Sequence, residues 1–194
     1  MCSITIAASR EKLIELITLN EYRGTHSHSL TIFNERHEIE SMHRGLGPLH
    51  HADIEPFTPS YFAIAHQQAP TTENNSETAI HPAQIGDNHF LWHNGIIKEK
   101  EIKRLQHKLE CTSTWDTKLI LRQMVDYGTP ENIDGTFACV YAHWYGGPTI
   151  FRNEISPLFW SPEGISSTKF EGSEPVPPNK IFSLQYTPYY GFEF

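Results

Sequence analysis

The sequence predicts an α+β protein built on antiparallel sheets. Three observations carry that reading. A β-branched run, Cys2–Ala7 (CSITIA), stands at the head of the chain, before the first helical period. Two helical patterns sit together in the middle, on either side of residue 112. From Gly135 onward the pattern switches to short apolar runs separated by Gly, Pro and Ser, as in a strand meander.

Taken in order, Cys2–Ala7 is a strand, Ser9 is a helix N-cap, and Leu13, Ile14 and Ile17 repeat at helical spacing to about Asn20. Ser29–Phe33 is a short strand. Residues 34–60 are polar and hold Gly45, Gly47, Pro48, Pro56 and Pro59, so they read as mostly loop. Tyr61–His66 is a buried strand, and Gln67–Glu77 has turn chemistry. His89–His93 is a strand ending at Asn94-Gly95. Ile102, Leu105 and Leu109 mark one helix. Asp116 near its start and Gly128 just past its end bracket a second, with Leu119, Ile120, Met124 and Val125 between. Five strands follow: Thr136–Trp144, Pro148–Arg152, Leu158–Trp160, Thr168–Phe170 and Lys180–Gln185. Pro175, Pro177, Pro178 and Pro188 supply turns around the last of them.

The chain has 194 residues, 38% hydrophobic and 20% charged, the size and balance of one domain spanning residues 1–194. A net charge of −8 argues against a nucleic-acid surface, which needs clustered Lys and Arg. No run approaches the roughly 18 apolar residues of a membrane span, and residues 1–30 carry no basic-then-apolar signal segment. Three cysteines (Cys2, Cys111, Cys139) are too few and too odd in number for a disulfide framework, so the expectation is a reduced, cytoplasmic protein. The twelve histidines form no helical His-x-x-x-His pair, and no Cys-x-x-Cys accompanies them. Neither a metal nor a cofactor is expected.

Two features bear on chemistry. Removal of Met1, favoured when the next side chain is small, leaves a thiol and a free α-amine on Cys2. An α-amine with a pKa of about 7.7–8.0 can take the thiol's proton near neutrality. Asn94-Gly95 is by itself a type I′ hairpin signal. It also offers an amide NH₂ and an unobstructed backbone N–H, the donors an oxyanion hole requires.

The segments MCSI, EYRGTHS at 21–27, IAHQQAPT at 64–71, HPA at 81–83, WHNGII at 92–97 and STWDT at 113–117 together resemble class II glutamine amidotransferases. In motif the likeness is nearest to the glutaminase domain of glucosamine-6-phosphate synthase, and weaker to asparagine synthetase. DGTFACVYAHW at 134–144 and FRNEISPLFW at 151–160 extend it along nearly the whole chain. Six motifs in one order weigh more than any one of them.

The resemblance implies a four-layer αββα N-terminal-nucleophile sandwich with the Cys2 strand central in a sheet. It implies Cys2 as nucleophile with its own amine as base, Asn94 and Gly95 as oxyanion donors, and Arg23 beside the nucleophile. It places Asp116 at the substrate's ammonium and Thr71 at its carboxylate end. The substrate implied is L-glutamine or a similar small amide. The ammonia would go to a separate synthase or transferase, since the chain ends at Phe194 just after its last predicted strand. One departure matters most: Gln68 stands where the family carries the arginine that grips the substrate carboxylate. Thr25-His26 and Ala69 also depart from the family pattern. These changes suit a weak glutaminase, a related amidase acting on another small amide or γ-glutamyl compound, or a non-catalytic domain of the same fold.

Overall fold

A computed structural model describes residues 1–54, 61–69, 79–144 and 146–194. Its first strand, β1 (Ser3–Ala7), is buried at all five positions. That follows from its place in the middle of a seven-stranded antiparallel sheet, with β10 (Gly164–Ser166) on one side and β4 (Phe62–Gln68) on the other. Beyond β4 lie β2 (Ser27–Phe33) and the edge strand β3 (Ile39–Leu46). Beyond β10 lie β9 (Phe159–Ser161) and β11 (Glu174–Pro175). A second antiparallel sheet runs β12 (Ile181–Ser183), β8 (Gly146–Arg152), β7 (Gly135–His143), β6 (His89–Ile97) and β5 (Ala83–Ile85). A small hairpin, β13 (Gln185–Thr187) with β14 (Gly191–Glu193), closes one end.

The period-2 alternation of side chains sorts the core into layers. Ile4 and Ile6 of β1, Ile64 of β4, and Phe90 and Trp92 of β6 meet between the two sheets. On the outer face of the first sheet, Ala7, Leu30, Ala63 and Ala65 receive Leu13 and Ile17 of helix α1 (Arg10–Asn20) and Ile54 of the short helix α2 (His51–Ile54). On the outer face of the second, Leu91, Phe137 and Cys139 receive Leu105 of α3 (Glu99–Lys108) and Leu119, Ile120 and Met124 of α4 (Asp116–Tyr127). The order of layers is therefore αββα, as the resemblance implies.

Local chemistry sets the helix ends. Ser9 accepts the N–H of Lys12 and caps α1. Gly128 closes α4 in the left-handed region at φ 71°, where its N–H reaches Met124 O. At its other end α1 is tied inward by Asn20, whose fully buried amide donates to Leu16 O, Thr5 Oγ1 and Ser166 Oγ.

Several elements differ from the sequence expectation. The stretch 34–60, expected as loop, contains β3 and α2. β3 buries only Ile39 fully, so backbone pairing to β2 over its whole length forms it rather than an apolar pattern. The strand expected at Thr168–Phe170 lies earlier, at Gly164–Ser166, with one apolar side chain. And β6 does not stop at Asn94. It runs on to Ile97, pairing Asn94 with Ala138 and Gly95 with Phe137.

Candidate active site

That continuous strand rules out the hairpin reading of Asn94-Gly95 and leaves both residues inside a β-ladder. Gly95 is required there by close approach: a Cβ would sit 1.9 Å from Thr136 O. The Asn94 side chain is 3% exposed and its Nδ2 donates to Ser167 Oγ at 3.3 Å. Ser167 Oγ also accepts the N–H of Ile4 at 2.9 Å, so the Asn94 amide is joined through one hydroxyl to the strand that follows Cys2.

Cys2 itself is 4% exposed. Its Sγ lies 3.8 Å from Ala69 O, the residue after β4. Burial pushes the thiol pKa up, and the Asp116 carboxylate adds to the rise. The Ala69 contact, the chain's terminal ammonium and Arg23 oppose it, and the upward shift wins. A thiol held protonated in this way needs a base to become a nucleophile. Arg23, in the single helical turn after α1, is 7% exposed. Its Nε donates to Cys2 O at 3.1 Å and its Nη1 to Tyr22 Oη at 3.3 Å. It therefore fixes the Cys2 backbone as well as placing a cation near the sulfur.

Asp116 opens α4 and is 6% exposed. One carboxylate oxygen accepts Ile97 N–H at 3.2 Å and the other accepts Thr117 N–H at 2.7 Å, with His93 Nδ1 at 3.9 Å. These bonds hold a buried carboxylate beside the end of β6, close enough to act on the Cys2 thiol.

Gln68 ends β4 with its side chain 8% exposed. Its Oε1 accepts from His81 Nδ1 at 2.8 Å and from His81 N–H at 3.4 Å, and its Nε2 donates to Ala79 O at 3.0 Å. An amide oxygen can only accept, so His81 carries its proton on Nδ1. Among the described residues, Ala79 takes one N–H of the Gln68 amide. Thr71 lies outside the described residues. Contacts thus tie Arg23 directly to Cys2 and Asn94 to the Cys2 strand through Ser167, with the Asp116 carboxylate acting on the Cys2 thiol, while Gln68 is joined to α4 through His81 and Thr117.

Behind them lies a layer of histidines that look scattered in the sequence. His81 Nε2 meets Thr117 Oγ1 at 3.0 Å, and His93 Nδ1 meets the same hydroxyl at 3.2 Å. The His66 and His81 rings stack at 3.9 Å, and His66 Nε2 donates to His93 O at 3.0 Å. Burial holds His66 down at about 3 and His81 well below the ordinary histidine range. The only sequence signal for this layer is the motif positions of His66, His81 and His93. Among the described residues no group of three His, Cys, Asp or Glu side chains could hold a metal. No described helix is long and apolar enough to cross a membrane.

No family model matches the chain, and no curated protein does. Solved structures do. Glutamine phosphoribosylpyrophosphate amidotransferase from B. subtilis, complexed with ADP and GMP, superposes at a TM-score of 0.67 and 14% identity, over 100% of this chain and 48% of that one. A structure described as the allosteric regulatory enzyme of purine biosynthesis gives 0.64 and 13%, again over 100% and 48%. The chain spans about half the length of these two. Its fold is the α+β sandwich of two antiparallel sheets that these two structures share over the whole of this chain.

Proposed function

We propose that this chain cleaves a small carboxamide with Cys2 as an N-terminal nucleophile, that L-glutamine or a near analogue is the substrate, and that the released ammonia passes to a separate acceptor enzyme. The observation that carries the reading is the placement of the Asn94 amide. It lies in mid-strand and is linked through Ser167 to the Cys2 strand, rather than spent in a turn. Removal of Met1 puts a free amine on the residue whose thiol burial keeps protonated.

The steps then follow. The neutral Cys2 amine takes the thiol proton, and the sulfur attacks the amide carbon. The carbonyl oxygen becomes an oxyanion held by Asn94 Nδ2–H and Gly95 N–H. Collapse breaks the C–N bond as the Cys2 ammonium gives its proton to the amide nitrogen, so that ammonia leaves, a thioester remains on Cys2 and the amine is neutral again. Water, deprotonated by the same amine, hydrolyses the thioester to the acid and regenerates the thiol. Asp116 faces the substrate ammonium, as a carboxylate suits a cation. Gln68 and Thr71 take the carboxylate end. No step calls for a cofactor.

A second reading, an amidase acting on an amide that lacks the α-carboxylate, draws support from Gln68. A neutral donor grips a carboxylate less firmly than the bidentate fork of an arginine. The test is ammonia release from glutamine, asparagine and γ-glutamyl amides by protein starting at Cys2, with Cys2→Ala as control. Glutamine turnover that vanishes in Cys2→Ala is the expected result. Turnover of carboxylate-free amides alone selects the second reading. Turnover that survives in Cys2→Ala contradicts both.

A further inference from the structure

Ser167 lies one residue past β10, 1% exposed, at a junction that neither composition nor motif singles out. Its backbone N–H donates to Ile4 O at 3.0 Å, and its hydroxyl oxygen accepts Ile4 N–H at 2.9 Å. Ser167 therefore binds both polar backbone groups of the residue two positions after Cys2. The same hydroxyl oxygen takes Asn94 Nδ2–H at 3.3 Å from the facing sheet. A serine oxygen has two acceptor sites, and here both are filled by N–H donors. One proton of the Asn94 amide is committed to Ser167, and the other is left to point elsewhere.

The segment around Ser167 is anchored on both sides. Ser166 Oγ accepts Asn20 Nδ2–H at 2.8 Å and Thr168 N–H at 3.1 Å. Thr168 Oγ1 donates to Asn20 Oδ1 at 2.8 Å and meets Tyr22 Oη at 3.2 Å. Tyr22 Oη accepts from Arg23, whose Nε holds Cys2 O. Two routes thus lead from residues 166–168 to the nucleophile, one through Ile4 and one through Arg23, while a third leads to Asn94. Few arrangements of the Asn94 amide relative to Cys2 survive those constraints.

We propose that Ser167 is the positioning residue of the oxyanion hole. It sets the rotation of the Asn94 amide against the Cys2 strand, so that the free Nδ2–H faces the carbonyl oxygen of the bound amide. The proposal deepens the amide-cleaving function and rests on Asn94 being an oxyanion donor. Ser167 touches no reacting atom and acts through Asn94.

The experiment is a double-substitution cycle on protein starting at Cys2, with amide turnover and thermal unfolding measured for each form. Loss of one preorganised oxyanion donor lowers kcat by about 10²–10³, the expectation for Asn94→Ala. Loss of one orienting hydrogen bond lowers it by roughly ten-fold, the expectation for Ser167→Ala, with KM nearly unchanged. The double variant is expected to be no slower than Asn94→Ala alone, because Ser167 has nothing left to position. Independent, multiplying losses overturn the proposal, as does an unchanged kcat in folded Ser167→Ala. Should Ser167→Ala fail to fold, Ser167→Cys keeps the size and swaps in a weak acceptor, and the same cycle applies. A second measurement does not need turnover: the two Asn94 side-chain amide protons are followed by NMR in wild type and Ser167→Cys. Distinct protection of the two protons in wild type, lost in the variant, supports the positioning role. Identical behaviour in both proteins removes it, even if the enzyme reading itself has failed for want of turnover.

Discussion

At the residue scale, Gln68 is the position where sequence and structure together say more than either alone. The sequence marks it as a lost cation. The structure adds that its amide oxygen is in use, receiving both the ring Nδ1–H and the backbone N–H of His81. Restoring an arginine at this position does not simply restore a carboxylate grip. Gln68→Arg removes the acceptor of a fully buried histidine and sets a cation against it, and burial already opposes charge on His81. Leaving a buried donor unpaired costs about 1–3 kcal/mol. We expect Gln68→Arg to lower the denaturation midpoint and to leave KM for glutamine no better than wild type. A stable variant with KM several-fold lower would show that the amide is expendable and that the pocket wants only the charge. Asn94 shows the reverse case. Its dipeptide with Gly95 carries two meanings in sequence, and only the nine-residue pairing of β6 with β7 selects one.

At the scale of elements, most of what is legible in the sequence has a strong local signal. α1 announces itself by Ser9 and the Leu13–Ile17 spacing, and α4 by Gly128. β1 and β4 are apolar enough to read as strands because both faces are covered, one by helices and one by the second sheet. What is not legible is held by pairing partners instead. β3 is an edge strand with exposed Glu40, Ser41, His43 and Arg44. β10 is three residues long and owes its existence to the register Thr5 with Ser166, Ile6 with Ile165 and Ala7 with Gly164. That invisibility also hides Ser167. The candidate site divides in the same way. Cys2, Arg23, Asn94, Gly95 and Asp116 stand out through motif order, whereas the hydrogen-bonded links between them depend on a chain separation of 73 residues for Asn94–Ser167 and 163 for Ile4–Ser167.

At the scale of the molecule, the sandwich closes over two histidines, His66 and His81, that must stay neutral. His66 sits at about 3 and His81 well below its ordinary value, both chiefly through burial. In the unfolded chain each would titrate near 6.5. Below that pH the unfolded state binds protons that the folded state refuses, so stability is full above about 6.5 and is lost as pH falls toward 3. The slope is up to about 1.4 kcal/mol per pH unit for His66 alone, with His81 acting in the same direction. Urea midpoints are expected to fall steadily from about pH 7 to pH 5, with His37 and His89, also lowered by burial, acting in the same direction. A His66→Gln variant, which keeps an N–H for His93 O, is expected to show a shallower fall. A flat profile in wild type would mean that water reaches these rings. The same closure keeps the Cys2 thiol protonated and makes the identity of its base the central question.

In the proposed mechanism that base is the amine of Cys2, which exists only once Met1 is gone. The most direct test compares two preparations, each verified by intact mass, one beginning at Cys2 and one still carrying Met1, for ammonia release from glutamine at matched concentration. General-base assistance contributes about 10²–10⁴-fold, so the chain that keeps Met1 is expected to be slower by at least the lower figure while unfolding at a similar temperature. Equal turnover by the two preparations would contradict the mechanism, because the base would then have to be some group other than the Cys2 amine.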